Sequence, residues 1–178
     1  MLRFMKIAVF LLLAGLAHEA KAGLIGHEII ANHYFPTLNN KLYSDVSANV
    51  GAGLEFPGTN FGDYWSADIT DSRIIIYVLQ WTGWTDNHQQ NGPVFIDLTA
   101  PFATVAIDPA TTLNAFNSTT VSIVDGKVVV DWSGQYVEVG DTLVLEIASS
   151  SDVPEPSSLT LIAAALIGVN LVRHRRRK

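Results

Sequence analysis

A regular alternation of apolar and polar residues through the middle of the chain is the strongest constraint on its fold. Trp65, Ala67 and Ile69 alternate with Ser66 and Asp68. Because successive side chains of a β-strand point to opposite faces, this period of two predicts a strand with one buried face. The same alternation, or a β-branched run of strand length, recurs over residues 42–50, 73–79, 94–98 and 143–147. The middle of the chain is therefore expected to consist of short strands.

Three of these segments carry more specific expectations. Residues 42–50 are expected to form a single strand whose apolar series begins at Leu42 and ends at Val50. The β-branched run 73–79 is expected to be buried on both faces. In residues 94–98, Val94 and Ile96 belong to the apolar series and Phe95 to the opposite one.

Asp125-Gly126 separates two β-branched segments, residues 121–124 and 127–132. This dipeptide between two apolar runs is the strongest short-range signal for a β-hairpin. No segment of the middle region has a 3.6-residue period, so little helix is expected there. Eight or nine strands with turns between them predict an all-β fold, an antiparallel β-sandwich of jelly-roll-like order, with an open barrel as the alternative.

The first 22 residues have the three parts of a secretory signal peptide. Arg3 and Lys6 precede an uncharged apolar stretch of residues 7–17, and Ala20 and Ala22 stand three residues and one residue before Gly23. This order predicts an exported chain that is cleaved after Ala22, with a signal helix before the cut. A short buried helix is the alternative interpretation.

The other end of the chain is apolar and then basic. Residues 156–172 carry no charge, which meets the lower limit of about 17 residues for a membrane-spanning helix. A membrane helix is expected at about residues 157–172. The tail 173–178 carries five fixed positive charges, which are expected to stay on the cytoplasmic side: Arg173, Arg175, Arg176, Arg177 and Lys178.

Pro154, Glu155 and Pro156 directly precede this apolar segment. The Pro-Glu-Pro element, the short apolar helix and the arginine-rich end together resemble the PEP-CTERM sorting signal of exported proteins in Gram-negative bacteria. The resemblance implies that an exosortase recognises Pro154, Glu155 and Pro156 and cleaves the chain near them. It also implies transient anchoring in the inner membrane, with the preceding domain on the periplasmic side, before delivery to the cell surface or the extracellular space. The alternative is an ordinary C-terminal anchor.

Residues 23–152 between these ends are predicted to be a single domain with a strongly acidic surface. They contain three lysine or arginine residues and fifteen aspartate or glutamate residues, a net charge of -12, against -6 for the whole chain. A surface of this sign repels anionic polymers, so a nucleic-acid partner is not expected. The chain contains no cysteine, which excludes a disulfide-stabilised domain.

The polar loop 82–92 is the candidate ligand-binding segment, because Trp84 is followed there by Asp86, Asn87 and His88. Loops on a rigid sheet scaffold often carry binding groups, and a tryptophan beside polar groups can stack on a sugar ring. The loop therefore suggests a carbohydrate-binding module for exopolysaccharide. A solvated connecting loop is the alternative.

Other site patterns are weaker. His27-Glu28 and His33 lack the four-residue histidine spacing of a zinc-protease helix, and both histidines are expected on the surface at the first strand. No metal site or cofactor is predicted, although Asp68 with Asp71, or Asp86 with Asn87, are alternatives for calcium. No catalytic set is recognised, so a non-enzymatic exported surface or matrix protein is expected. A polysaccharide hydrolase is a more distant alternative.

Overall fold

The regular structure consists of short β-strands and one turn of 3-10 helix, in a computed structural model that describes residues 23–83, 88–113 and 120–150. Residue contacts group Ala22–Ser151 as one unit. The helical turn is Gly58–Phe61. The strands are β1 (Glu28–Tyr34), β2 (Val46–Asn49), β3 (Trp65–Ile69), β4 (Arg73–Val78), β5 (Thr82–Gly83), β6 (Gly92–Asp97), β7 (Phe102–Ile107), β8 (Val121–Val124), β9 (Lys127–Val130), β10 (Tyr136–Val137) and β11 (Thr142–Ser149).

The strands form two main antiparallel sheets. The first has the order β2-β1-β6-β9-β8 and the second the order β3-β4-β11-β7, while β5 and β10 form a separate two-stranded ladder. Side chains of both main sheets meet in one core cluster, for example Ile29 and Phe95 from the first sheet with Ile76 and Leu145 from the second. The all-β, sandwich-like prediction is thus confirmed for the described residues. The jelly-roll order stays a prediction.

The expected signal and membrane helices, residues 1–22 and about 157–172, lie outside the described residues. Among the residues that are described, none belongs to a helix long and apolar enough to cross a membrane.

Aromatic side chains fill the centre of the core. Phe61, from the 3-10 turn, stacks on Trp65 of β3 with ring centroids 3.9 Å apart. Phe95 of β6 meets the edge of the Trp65 ring at 5.9 Å, which joins the two sheets. Full burial of an aromatic side chain of this size stabilises a fold by about 2–3 kcal/mol, so these rings account for a large part of the sheet-to-sheet packing.

The strongest sequence signals are confirmed. Trp65, Ala67 and Ile69 of β3 are completely buried. The β8–β9 hairpin turns at Asp125 and Gly126, whose φ angles of 51° and 73° are both positive. Two positive φ angles are the conformation that Asp-Gly favours in a two-residue hairpin turn.

The prediction of one strand over residues 42–50 is wrong in its first half. β2 begins only at Val46, and Leu42 is exposed. The Asn32 side chain is the physical cause: its amide donates to the carbonyl of Tyr43 at 2.7 Å and to Asp45 Oδ1 at 2.9 Å. These bonds hold the chain in a loop around Asn32, and local alternation does not reveal them.

The expectations about which faces of β4 and β6 are buried also need correction. In β4, Ile74, Ile76 and Val78 are buried on one face, but Ile75 and Tyr77, on the opposite face, are partly exposed. In β6 the main core takes Phe95. Val94 instead joins Tyr34 and Val129 in a small second cluster. Both faces of β6 are therefore buried, which an apolar series on one face does not predict.

Candidate functional site

The predicted ligand-binding loop is described only at its end. Trp84, Asp86 and Asn87 lie outside the described residues, and His88 packs its ring against Phe35 with centroids 4.5 Å apart. Gln90 then fixes the chain to the first sheet, because its side-chain amide donates to the Val130 carbonyl at 2.8 Å. The proposed ligand contacts of the loop stay a prediction.

An exposed aromatic pair lies immediately before this loop, and the sequence reasoning missed it. Trp81 is 65% exposed and Tyr136 is 73% exposed. Their ring centroids are 6.5 Å apart with the planes tilted by 38°. Neighbouring exposed aromatic rings are uncommon on a monomer surface and often mark a binding site. We call Trp81 and Tyr136 the aromatic pair.

Strand register brings the two rings together. β4 pairs Tyr77 with Thr142 of β11, and five residues further along Thr82 of β5 pairs with Val137 of β10, five residues back along the other strand. The β5–β10 ladder thus continues the β4–β11 ladder in the same register. Between the two ladders, Val78 bonds to the opposite segment. Its N–H donates to the Asp141 carbonyl at 2.9 Å, and its carbonyl accepts from the Gly140 N–H at 3.0 Å.

Gly83 explains the position of the tyrosine ring. Tyr136 is the direct cross-strand partner of Gly83. A Cβ at Gly83 would lie 2.8 Å from the Tyr136 ring, so the ring covers the bare glycine backbone. Glu138, two residues after Tyr136, is exposed. The surface therefore offers two exposed aromatic rings and an exposed carboxylate two residues from one of them. This surface can be found from the sequence only if the strand register is known, because Trp81 and Tyr136 lie 55 positions apart in the chain.

The expectation of two surface histidines on the first strand is wrong for His33, which is completely buried. The indole N–H of Trp65 donates to His33 Nδ1 at 3.1 Å, and His33 Nε2 lies 2.9 Å from Asn91 Oδ1. Since Nδ1 accepts, the proton is on Nε2, which donates to Asn91. The rings of Tyr43 and Trp132 pack edge-on against the imidazole.

This environment favours the neutral imidazole. Burial lowers the pKa of His33 from 6.5 to about 4, and the hydrogen bond to Asn91 opposes the shift only in part. Protonation of Nδ1 would also place an N–H against the Trp65 N–H donor. His33 is thus a structural group that keeps one tautomer, and it offers no free nitrogen to a ligand.

His27 is separate from His33 and pairs with a buried carboxylate. His27 Nδ1 lies 2.7 Å from Asp97 Oδ2, and the other oxygen of Asp97 accepts the backbone N–H groups of Thr99 at 2.7 Å and Ala100 at 3.2 Å. These bonds close the loop after β6. Among the described residues no group of three or more histidine or acidic side chains is arranged to hold a metal ion.

The calcium candidates are only partly described, since Asp86 and Asn87 lie outside the described residues. Asp68, on β3, stands beside Glu55, because the bridge between Phe56 and Ala67 brings the two segments together. Burial and the neighbouring Glu55 carboxylate raise the pKa of Asp68. Asp71 belongs to the β3–β4 turn and contacts Gly23 instead. Calcium binding by these residues stays a prediction.

The predicted processing residues also fall outside the described residues. They are Ala20 and Ala22 at the signal-peptide site, Pro154, Glu155 and Pro156 at the sorting element, and Arg173, Arg175, Arg176, Arg177 and Lys178 in the basic tail.

Comparison with known proteins gives one match, and it lies at the C-terminal end of the chain. Residues 152–177 match the family model of the PEP-CTERM protein-sorting motif. No curated protein and no solved structure matches the chain. The resemblance of the C-terminal residues to this signal is thus confirmed. The described residues form an all-β domain, and the sorting motif at residues 152–177 implies export, transient membrane anchoring and processing by an exosortase.

Proposed function

We propose that this chain is a non-enzymatic protein of the bacterial surface or extracellular matrix, delivered there by its sorting signal. The match of residues 152–177 to the sorting motif is the observation that carries the proposal. The acidic domain before the motif supports it, because a high net charge keeps an exported domain soluble.

The segments act in sequence in this proposal. The signal peptide directs export, and the apolar helix near residues 157–172 then holds the chain in the inner membrane while the basic tail stays in the cytoplasm. The exosortase recognises Pro154, Glu155 and Pro156 and cleaves near them, which separates the domain from its anchor.

Replacement of Pro154, Glu155 and Pro156 by alanine tests the sorting step in a host with an exosortase. We expect the altered chain to keep its full size and stay in the membrane fraction, while the unaltered chain becomes smaller and leaves it. The matched control replaces Ser157 and Ser158 by alanine, next to the element, and is expected to be processed normally. Identical size and location for all three chains would rule out the sorting role.

A second candidate activity is carbohydrate binding at the aromatic pair. Trp81 and Tyr136 present exposed ring faces, on which the C–H faces of a sugar ring can stack. The exposed carboxylate of Glu138, two residues after Tyr136, can accept hydrogen bonds from sugar hydroxyl groups. Trp84, in the loop that follows Trp81, stays a further candidate ligand-binding residue. This observation favours binding of exopolysaccharide over a purely structural role.

The charge of the domain indicates which polysaccharides fit. Because residues 23–152 carry a net charge of -12, an anionic polymer is repelled at low ionic strength. A neutral glycan meets no such barrier. We therefore expect a preference for neutral chains.

Affinity electrophoresis in gels that contain a neutral β-glucan or the acidic polymer alginate tests this activity. We expect the neutral glucan to retard the protein, and Trp81→Leu or Tyr136→Leu to abolish the retardation; Tyr136→Leu keeps a side chain over Gly83. Leu98→Ala, at another exposed apolar side chain, is the control and should behave as the unaltered protein. Retardation that survives both aromatic replacements and Trp84→Ala would remove the proposal, and so would its absence in every neutral glycan of an array.

A further inference from the structure

The first residue that the structure describes is Gly23, and it lies directly against Asp71 of the β3–β4 turn. A Cβ at position 23 would overlap the carboxyl group of Asp71, so this carboxylate occupies the space of the missing side chain. The next residue, Leu24, donates its backbone N–H to the Asp71 carbonyl at 2.9 Å and is almost completely buried. The start of the domain is thus fixed against one carboxylate.

Asp71 has no cationic partner elsewhere in the part of the chain that the structure describes. Arg73, two residues further on, pairs with Asp108 at 2.7 Å and with Glu146 at 3.7 Å. Lys41 pairs with Asp45 at 2.6 Å. Beside Gly23, therefore, no described side chain balances the charge of the Asp71 carboxylate.

Gly23 is also the residue that follows the predicted signal-peptide site, with Ala20 and Ala22 before it. We propose that export processing makes Gly23 the first residue of the mature protein and that its new α-ammonium group is bound by the Asp71 carboxylate. Hydrolysis of the Ala22–Gly23 peptide bond by a membrane signal peptidase consumes one water molecule. It leaves a carboxylate on Ala22 and an amino group on Gly23, which takes up a proton near neutral pH.

Neighbouring cleavage positions fit the structure less well. Cleavage after Gly23 would place the ammonium group on Leu24, whose backbone nitrogen already donates to the Asp71 carbonyl and whose side chain is buried in the core. Cleavage after Ala20 would leave Lys21 and Ala22 ahead of Gly23, and no ammonium group would be formed at the carboxylate. Of these three positions, only cleavage between Ala22 and Gly23 places the new ammonium group beside the Asp71 carboxylate.

The pairing is expected to be visible in proton binding more than in stability, since exposed ion pairs contribute little to folding. A nearby carboxylate favours the charged ammonium group, so the pKa of the Gly23 amino group rises. A side chain at position 23 has to displace the Asp71 carboxylate. Gly23→Ser therefore weakens the pair while it leaves a small residue after the cleavage site.

The test exports the full chain in a Gram-negative host and determines the N-terminal residue of the recovered protein by sequencing. The amino group of Gly23, labelled with ¹⁵N, is then titrated by NMR. We expect Gly23 at the N-terminus and a fall in the amino-group pKa of about half a unit or more in Asp71→Asn. Gly23→Ser, labelled at its own first residue, is expected to have an amino-group pKa close to that of a free N-terminal serine.

The matched control is Asp63→Asn, at an exposed carboxylate whose positive φ of 58° asparagine also accepts. It should titrate as the unaltered protein. A different N-terminal residue, or equal titration of the unaltered protein and Asp71→Asn, would overturn the proposal. Both readouts concern the N-terminus, so failure of the C-terminal sorting step leaves them unaffected.

Discussion

At the scale of single residues, the buried imidazole of His33 has the clearest energetic consequence. Its neutral form satisfies both ring nitrogens, one as acceptor from Trp65 and one as donor to Asn91. The charged form loses hydration and meets the Trp65 donor. A surface position was expected from the sequence because the histidine spacing does not fit a zinc-binding helix, and only the packing of Trp65 and Asn91 around His33 reverses that expectation.

We predict that acid destabilises the domain through His33. Its pKa is about 4 in the folded protein, against the ordinary histidine value of 6.5 that applies to the unfolded chain. Between these values the unfolded chain binds more protons, so the free energy of unfolding falls as the pH falls. From pH 7.5 to pH 5 the loss is about 2 kcal/mol.

Urea unfolding at both pH values measures this loss. His33→Gln should be less stable at pH 7.5 but should lose much less between the two values, whereas His88→Gln leaves the buried imidazole in place and should keep the full dependence. A pH dependence of equal size in His33→Gln would contradict the assignment.

A second prediction concerns Asp68 and Glu55. The raised pKa of Asp68 means that the folded state holds its proton more tightly, so stability falls as the pH rises through that pKa. Asp68→Asn removes the repulsion and should increase the free energy of unfolding at pH 7 by about 0.2–1 kcal/mol, as for like charges placed opposite each other on two strands. The gain should shrink at pH 4. Asp63→Asn is the control, and a loss of stability in Asp68→Asn at pH 7 would show that the pair is stabilising.

At the scale of elements, the sequence predicts a segment well when its cause is local. The Asp125-Gly126 turn is set by two residues that accept positive φ, and β3 and β11 are set by their own alternation. Residues 42–45 differ because a side chain 11 positions away, Asn32, holds the Tyr43 carbonyl. The aromatic pair also depends on a long-range pairing, that of β5 with β10. Local patterns therefore predicted most strands and missed the exposed rings.

The β8–β9 turn supplies the element-scale prediction. Gly126→Ala places a Cβ at φ 73° and within 2.6 Å of the Pro101 side chain. We expect a loss of about 1–2 kcal/mol in the free energy of unfolding, the usual cost of the left-handed conformation for a residue with a Cβ. Gly51→Ala is the matched control, because its Cβ would meet only the Asn49 carbonyl at 3.9 Å. Equal stability of the two variants in urea unfolding would contradict this description of the turn.

At the scale of the whole molecule, we predict that residues 23–152 fold without the two ends. The core cluster draws on both main sheets, and residue contacts group Ala22–Ser151 as one compact unit. A chain limited to residues 23–152 should unfold cooperatively in urea, with a midpoint close to that of the exported full chain. A fragment that is unfolded or digested at once by a protease would show that the ends contribute to the fold.

The chain thus combines a two-sheet domain with a C-terminal segment that matches a protein-sorting motif. The most direct test of this account is the intact mass of the protein recovered outside the inner membrane, from a host with an exosortase. We predict a chain that ends near Pro154, Glu155 and Pro156 and lacks the apolar helix and the basic tail. A mass that still includes Lys178 would contradict it.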